Sequence, residues 1–335
     1  PHECSSAASD VYKRQTSASL QDATLLYGSD ITEELFYGNL HSGDLNNDGT
    51  ADLIIGDSFY DRRQGRIVVY SGADIFDEFL STATIINGPM SRKVRLGSGL
   101  TTIDVSGSES IVIGAYLVED ETNGLDNTGG VYLMESPLDR TVSADDADLT
   151  LYGADEEEYF GYRTSNVGDL DADGYPELAV VSLAHDGRNG IVVVSGELLS
   201  DCLLNGCAQP SSEDAGWRFV TNDGTTGTEE MPEEADLNGD GQADLILNMS
   251  SLEGGDSSGA VYVSYGPLPT SSGSLYTLSS TSEVVDAVII ESGSYGAFGS
   301  TVAAGDTDAD GFSDLLIGAP EDGGGAAYLF LGGGE

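Results

Sequence analysis

Four copies of one acidic pattern constrain the fold of this chain more than any other feature. Each copy has a carboxylate or amide side chain at positions 1, 3 and 5, a glycine at position 6 and a carboxylate at position 9; the copies begin at Asp44, Asp169, Asp236 and Asp306. In such a loop alternate side chains point inward, and the glycine permits a sharp turn. The pattern predicts a cage of oxygen atoms for calcium, which accepts about six to eight oxygen ligands in loose geometry.

The predicted ligands are the side chains at positions 1, 3, 5 and 9 and the backbone carbonyl at position 7. A single acidic cluster is a solvated loop as often as it is a metal site. Four copies with the same spacing favour metal sites, so we expect about four calcium ions. The ligands are Asp44, Asn46, Asp48, Thr50 and Asp52, then Asp169, Asp171, Asp173, Tyr175 and Glu177, then Asp236, Asn238, Asp240, Gln242 and Asp244, and finally Asp306, Asp308, Asp310, Phe312 and Asp314.

The EF-hand is the main alternative for such a loop. An EF-hand requires a glutamate at position 12 and a helix on each side. Position 12 falls instead on an apolar residue in a short run that is typical of a strand. These residues are Ile55, Val180, Leu247 and Ile317, and they exclude the EF-hand.

The spacing of the loops indicates five repeated units. The loops that begin at 169, 236 and 306 are 67 and 70 residues apart, whereas 44 and 169 are 125 apart, which leaves room for one further unit. Residues 96–99 and 110–115 mark that unit. Aligned on Gly114, its positions 1, 5 and 9 are Thr102, Ser106 and Ser110, and only Asp104 keeps a carboxylate. We therefore expect no metal in the second unit.

Each unit contains short β-rich runs separated by Gly, Ser and Asp. A four-stranded antiparallel sheet that recurs every 60 to 70 residues predicts an all-β fold, a β-propeller with five blades present. An additional strand at 23–28 either closes the ring or belongs to a longer, seven-bladed ring. We treat 1–15, which includes Cys4, as a non-native leader and 16–335 as the propeller, with units at about 31–88, 89–153, 154–223, 224–292 and 293–335.

The last unit carries a recognisable family motif. Phe298-Gly299, Gly318-Ala319-Pro320 and the acidic loop between them resemble the FG-GAP repeats of integrin α-subunit propellers and their bacterial relatives. The resemblance covers about residues 20–335. It departs in the second unit and in the fourth, where 229–232 replaces the FG pair and 248–250 replaces the GAP triplet. It implies calcium loops on one face of the propeller and partners on the opposite face.

Charge and cysteine content limit the environment and the partners. The formal net charge of −46 excludes nucleic acid and anionic membrane surfaces as electrostatic partners. No apolar run is long enough for a transmembrane helix. Cys202 and Cys207 flank a short loop and are either free thiols or a disulfide, and a disulfide would fit an oxidising compartment. We expect a secreted or cell-surface protein with neighbouring domains.

Catalytic motifs are not evident in the sequence. It contains no zinc signature or phosphate loop. His41 precedes the first acidic loop and His185 lies in a variable loop, so packing or solvation explains both better than catalysis. Trp217 is expected to pack within a strand. The sequence predicts a non-catalytic, calcium-binding propeller for adhesion or recognition of a protein or glycan; the alternative is the propeller domain of a secreted hydrolase or polysaccharide lyase.

The loops between second and third strands are the predicted binding face. They vary in length and composition, and variable loops on a rigid scaffold usually carry recognition. The acidic loops join first to second strands, so the variable loops return on the opposite face. The candidate ligand-binding residues there are Tyr60, Arg62, Arg63, Tyr116, His185 and Arg188.

Overall fold

A computed structural model of the chain describes residues 38–73, 83–89, 93–120, 122–138, 140–185, 188–221, 234–249, 259–269, 274–278, 285–290 and 297–333. The chain divides into two compact units, Pro1–Phe36 and Tyr37–Glu335, and all the described residues belong to the second. The predicted leader, the strand at 23–28 and the segment 229–232 lie outside the described residues.

Strands dominate the described residues. In chain order they are β1 (Gly38–Gly43), β2 (Asp52–Asp57), β3 (Arg66–Tyr70), β4 (Thr84–Asn87), β5 (Leu100–Asp104), β6 (Glu109–Ala115), β7 (Gly130–Glu135), β8 (Val142–Ser143), β9 (Leu149–Tyr152), β10 (Thr164–Asn166), β11 (Leu178–His185), β12 (Arg188–Val194), β13 (Trp217–Thr221), β14 (Leu245–Met249), β15 (Ala260–Ser264), β16 (Ser274–Leu278), β17 (Ala287–Ile290), β18 (Thr301–Gly305), β19 (Asp314–Ala319) and β20 (Ala326–Phe330). A helix at Gly196–Asn205 joins β12 to β13, a single helical turn lies at Tyr60–Arg63, and 3-10 turns lie at Ala144–Asp146 and Ser212–Asp214.

The strands form five sheets, one for each predicted unit. Their antiparallel orders are β1-β2-β3-β4, β5-β6-β7-β9, β10-β11-β12-β13, β14-β15-β17 and β18-β19-β20. The prediction of an all-β chain built from repeated antiparallel sheets is therefore confirmed, whereas the number of blades and the closure of the ring stay predictions. Two strands were not anticipated: β8 and β16 belong by sequence to units two and four but pair in parallel with β4 and β13 of the preceding units.

Successive sheets pack face to face, and alternate residues of one strand pack against the sheets on its two sides. In β6, Ile111 and Ile113 contact the core shared with sheet one, whereas Val112 contacts the core shared with sheet three. In β14, Leu245 and Leu247 face sheet three, and Ile246 faces sheet five. Strands buried on both sides read as continuous apolar runs, which explains the Ile-Val-Leu sequences of the second and third strands.

The first strands of units one, two and three lie side by side. His41 Nε2 is 3.2 Å from Thr102 Oγ1, and Asn166 Nδ2 donates to the Thr102 carbonyl at 3.3 Å. Leu40, His41, Ser42, Thr102 and Asn166 line a shared cavity of about 490 Å³. Neighbouring first strands around one cavity are what radial stacking of propeller sheets produces, and His41 is a packed residue of this wall.

Candidate metal centre

The four acidic loops each lead into a second strand, and among the described residues three of them also follow a first strand, as predicted. We name them loop A (44–52), loop B (169–177), loop C (236–244) and loop D (306–314). Loops A, B and D follow β1, β10 and β18, and loop C leads into β14. The residues at position 12, which exclude an EF-hand, lie in β2, β11, β14 and β19.

One hydrogen-bond scheme recurs at position 1 of all four loops. In loop A the Asp44 carboxylate accepts the N–H groups of Asp48 at 3.0 Å and Gly49 at 2.8 Å. The same two bonds, from positions 5 and 6, reach Asp169, Asp236 and Asp306. The loop backbone therefore fixes this carboxylate before any ion binds.

Positions 3, 5 and 7 follow the same scheme. In loop A, Asn46 Oδ1 accepts the Asp48 N–H at 2.9 Å, and Asp48 accepts the Thr50 N–H at 2.8 Å. Position 5 accepts the position 7 N–H in the other loops as well, at 2.8–2.9 Å, from Tyr175, Gln242 and Phe312. Participation of the position 7 carbonyls in metal binding stays a prediction.

The loops require two left-handed residues rather than the one expected from the glycine. Position 6 has φ between 84° and 96° in the four loops, where glycine is favoured. Position 4 is also left-handed, with φ of 60° at Asn47, 63° at Ala172, 74° at Gly239 and 65° at Ala309. The loop pattern did not specify a residue type at position 4. The small residue found there in every loop was the available sign of the left-handed conformation.

The carboxylate at position 9 is buried and ties each loop to the end of a third strand. Asp52, Glu177, Asp244 and Asp314 are at most 2% exposed. Glu177, for example, accepts the N–H of Leu170 at 2.6 Å and the N–H of Gly196 at 3.2 Å. In every loop two backbone N–H groups donate to this carboxylate: that of position 2 and that of a glycine two residues after the third strand.

That glycine is a site residue that the sequence reasoning missed. A Cβ atom on it would lie 2.0–2.4 Å from the carbonyl oxygen at position 8 of the loop, which no side chain can tolerate. The four residues are Gly72, Gly196, Gly266 and Gly332. A glycine at a constant distance from the third strand was the available signal. Unit two has Pro137 at this place, which carries no N–H to donate.

Burial and mutual repulsion destabilise the ionised form of the position 9 carboxylate in loops A, B and C. Burial, with smaller contributions from Asp171 and Asp173, raises the pKa of Glu177 to about 8 although two N–H groups oppose the shift. Burial likewise raises the pKa of Asp52 and of Asp244. In loop D the Thr307 hydroxyl donates to Asp314 and lowers the pKa of that carboxyl. A bound cation would favour the ionised form in every loop.

The carboxylates converge in a way that suits a metal ion. Ligand atoms of Asp169, Asp171 and Glu177 lie within 4.8 Å of one another, and so do those of Asp306, Asp308 and Asp314. Loops A and C place the amides of Asn46 and Asn238 at position 3 instead. The donors are all oxygen atoms and carry net negative charge, which is the ligand set that calcium prefers.

Loops A and C also contact the following unit. Glu109 of unit two accepts the Asp44 N–H at 2.6 Å. Ser313 of loop D accepts the Asp236 N–H at 3.2 Å and donates its own N–H to the Asp236 carbonyl at 2.8 Å. These bonds place the first-to-second-strand loops of neighbouring units next to one another. Glu109 was not a predicted site residue, because nothing in the sequence pairs units one and two.

The alignment of the degenerate loop in unit two was wrong in one respect. Thr102 lies within β5 and pairs with Ile111, so it is not the first residue of the loop. Ile103 pairs with Ser110, which leaves six intervening residues, whereas Gly43 and Asp52 enclose eight in loop A. The loop has lost two residues, a change that an ungapped count from Gly114 could not detect. Asp104 accepts the Gly107 N–H at 2.8 Å and closes this shorter turn.

The structure brings together part of the predicted binding face. Tyr60 lies under the Arg66 guanidinium at 3.6 Å, and Arg62 and Arg63 are exposed. Tyr116 contacts Tyr162 edge to face, with ring centroids 5.3 Å apart. His185 and Arg188 pair across the end of β11 and β12, and their side chains lie outside the described residues.

The two cysteines and the tryptophan lie near loop B. Cys202 and Cys207 form a disulfide at the end of the helix Gly196–Asn205, whose first N–H binds Glu177. Trp217 is buried in β13 and donates its Nε1–H to the Pro269 carbonyl at 3.2 Å, as a packing residue would.

The fold and the loops define a repeat protein made of small antiparallel sheets, in which an acidic loop precedes the second strand of every unit except unit two. The family model of the FG-GAP repeat matches residues 36–70 and 298–330, which contain loops A and D. Two segments of the chain are therefore FG-GAP repeats. Among the described residues, none of the helices is long and apolar enough to cross a membrane.

Proposed function

We propose that the chain is a calcium-stabilised propeller that recognises an extracellular ligand and performs no catalysis itself. The observation that carries the proposal is the repeated convergence of carboxylate oxygens, within 4.8 Å of one another in loops B and D. Carboxylates at that separation repel each other strongly unless a cation lies between them. Four loops with the same hydrogen bonds support about four such sites.

The proposed ligands are the side chains at positions 1, 3, 5 and 9 of loops A to D, with the carbonyls at position 7. Calcium would neutralise each group of carboxylates and, through position 9, hold the loop against the third strand. Extracellular calcium sites bind with dissociation constants of about 0.1–1 mM, so such loops are filled outside the cell. The disulfide and the FG-GAP repeats support the same location.

A recognition role is favoured over an enzymatic one. His41, a candidate for acid–base chemistry, contacts Thr102 in the wall of the cavity between first strands. The carboxylates that could imitate a glycosidase pair are already explained as metal ligands. A hydrolase or lyase would instead need an acid and a base that converge on the face of the variable loops.

Thermal unfolding with and without calcium tests the proposal. A site with a dissociation constant of 0.1 mM contributes about 2.7 kcal/mol at 10 mM calcium, so four sites contribute roughly 10 kcal/mol. We expect the melting temperature to rise markedly in calcium and to fall when chelator is added, with magnesium as the comparison ion. A melting temperature that chelator leaves unchanged would contradict the proposal.

A further inference from the structure

Basic residues are concentrated at one place in this strongly acidic protein. Residues 59–66, 93–97 and 162–163, which we name the cationic patch, contain six of the chain's 12 Lys and Arg residues and one of its 58 acidic residues. The basic residues are Arg62, Arg63, Arg66, Lys93, Arg95 and Arg163. Fifteen residues in a chain of 335 thus hold half of its positive side chains.

Backbone hydrogen bonds join the first two segments of the cationic patch, and a side-chain hydrogen bond links the third segment to Ser98, next to the second. Arg95 donates its N–H to the Arg63 carbonyl at 3.0 Å, and Leu96 donates to the Gln64 carbonyl at 3.2 Å. Arg163 Nη1 donates to the Ser98 carbonyl at 2.9 Å. The patch therefore spans the variable loop of unit one and the starts of units two and three.

Aromatic rings lie beneath several of the guanidinium groups. Arg95 lies 3.6 Å from the Phe59 ring centroid, Arg66 lies 3.6 Å from that of Tyr60, and Arg163 lies 4.7 Å from that of Tyr162. Stacking of this kind holds a guanidinium in a fixed plane, so less conformational freedom is lost when the group binds an anion.

Four residues of the cationic patch, including the exposed Arg62 and Arg63, are held in an unfavourable backbone conformation. Asp61, Arg62 and Arg63 have φ of 41°, 59° and 77°, and Arg95 has φ of 64°. Consecutive left-handed residues other than glycine are uncommon, and such strain concentrates at functional sites. Within the described part of the chain, Arg62, Arg63 and Lys93 are exposed and form no ion pair. Their charges are therefore not used to hold the fold.

The acidic residues around the patch leave its exposed charges available. Asp57 forms an ion pair with Arg66 at 3.8 Å, and the buried Glu158 accepts the Ala154 N–H at 2.6 Å. Asp61 and Glu119 are exposed. The net charge of −46 argues against polyanions as partners of the protein surface as a whole. Charges more than about 8 Å away are screened at physiological ionic strength, so the cationic patch can still attract an anion locally.

We propose that the cationic patch binds an anionic polysaccharide, one whose sugars carry sulfate or carboxylate groups. This inference rests on the proposed recognition role and names the class of ligand that is recognised. Guanidinium groups bind such anions through paired N–H donors. The patch favours a glycan over an extended peptide because the Arg63 and Gln64 carbonyls already accept hydrogen bonds from the facing segment. It offers the peptide no open strand edge.

Binding to immobilised heparin and hyaluronan tests the proposal, with dextran as a neutral glycan and poly-glutamate as an acidic peptide. The measurement is made at about 0.15 M salt in millimolar calcium. The test variant is Arg62→Gly/Arg63→Gly, because glycine removes both side chains and suits their positive φ. Arg62→Lys/Arg63→Lys keeps the charges but removes the paired donors. Arg140→Ala removes an exposed arginine outside the patch and is the matched control.

We expect the wild type and the Arg140 variant to bind heparin, hyaluronan or both, and dextran not at all. The glycine variant should lose roughly tenfold or more in affinity, and the lysine variant should lie between. A wild type that binds neither glycan, a glycine variant that binds normally, or a clear preference for poly-glutamate would overturn the proposal. Calcium-dependent melting, measured on the same samples, reports the proposed metal role separately.

Discussion

The buried carboxylate of loop B allows the sharpest test of how the metal loops work. Glu177 is fully buried, and burial raises its pKa to about 8 from an ordinary value of 4.5. Because the folded-state pKa lies above the unfolded one, metal-free protein should lose stability as the pH rises from about 4.5 through 8. At 1.36 kcal/mol per unit the loss has an upper limit of about 5 kcal/mol.

Replacement by glutamine separates the charge of Glu177 from its shape. Glu177→Gln remains neutral at every pH, so in chelator its stability should fall less than that of the wild type between pH 4.5 and 8. The variant loses one acceptor for the N–H groups of Leu170 and Gly196, which should cost about 1–3 kcal/mol at all pH values. In calcium it should lack the contribution of loop B, about 2.7 kcal/mol at a hundredfold excess over the dissociation constant.

Melting curves in chelator and in calcium, recorded across this pH range, measure both effects. Glu213→Gln, which replaces an exposed glutamate, is the control and should behave like the wild type. If Glu177→Gln retains the pH slope of the wild type in chelator, burial of an ionised Glu177 is not the source of that slope. If it also retains the full response to calcium, Glu177 is not a ligand.

Three further predictions concern residues around the loops. Glu109→Ala removes the acceptor of the Asp44 N–H and should weaken calcium binding at loop A by about tenfold, the usual effect of losing a hydrogen bond to a metal ligand. Glu109→Gln should retain most of the affinity. Titration calorimetry that gives equal affinity for the wild type and both variants would refute the role of Glu109. Gly266→Ala places a Cβ 2.4 Å from the Ala243 carbonyl oxygen and should lower the free energy of unfolding by about 1–3 kcal/mol. The control Gly216→Ala, whose Cβ would have no atom nearer than 3.6 Å, should be tolerated. Similar losses for both variants in denaturant unfolding would argue against the contact. Ala309→Gly relieves a left-handed alanine and should stabilise the metal-free protein by up to about 1 kcal/mol, and a destabilised variant would show that the φ of 65° is not costly.

Local sequence patterns predicted the repeated sheets and the acidic loops because both depend on short-range regularities. Apolar runs such as Leu53–Ile55 read as strands buried on both sides, and the alternation of Asp306, Asp308 and Asp310 defines a loop by itself. The acidic loops could therefore be located without any knowledge of the tertiary structure.

The features that were missed depend on contacts between distant segments. Gly332 meets Asp314 only after β18, β19 and β20 have paired, and Glu109 meets Asp44 only after units one and two have packed. Asn248 is a similar case, because it replaces the first glycine of the GAP triplet and donates to the Gly299 carbonyl of the next unit at 2.8 Å. Between units one and two the corresponding residues are Gly56 and Gly97, whose backbones lie in direct contact. In unit four the Asn248 side chain makes the contact instead.

Calcium stoichiometry tests the central claim most directly. Equilibrium dialysis of the wild type and of four variants, each with the position 9 carboxylate of one loop changed to its amide, counts the ions bound per chain. The account predicts about four ions in the wild type and about one fewer in each of Asp52→Asn, Glu177→Gln, Asp244→Asn and Asp314→Asn. No saturable uptake by the folded wild type, or the same uptake in all five proteins, would contradict it.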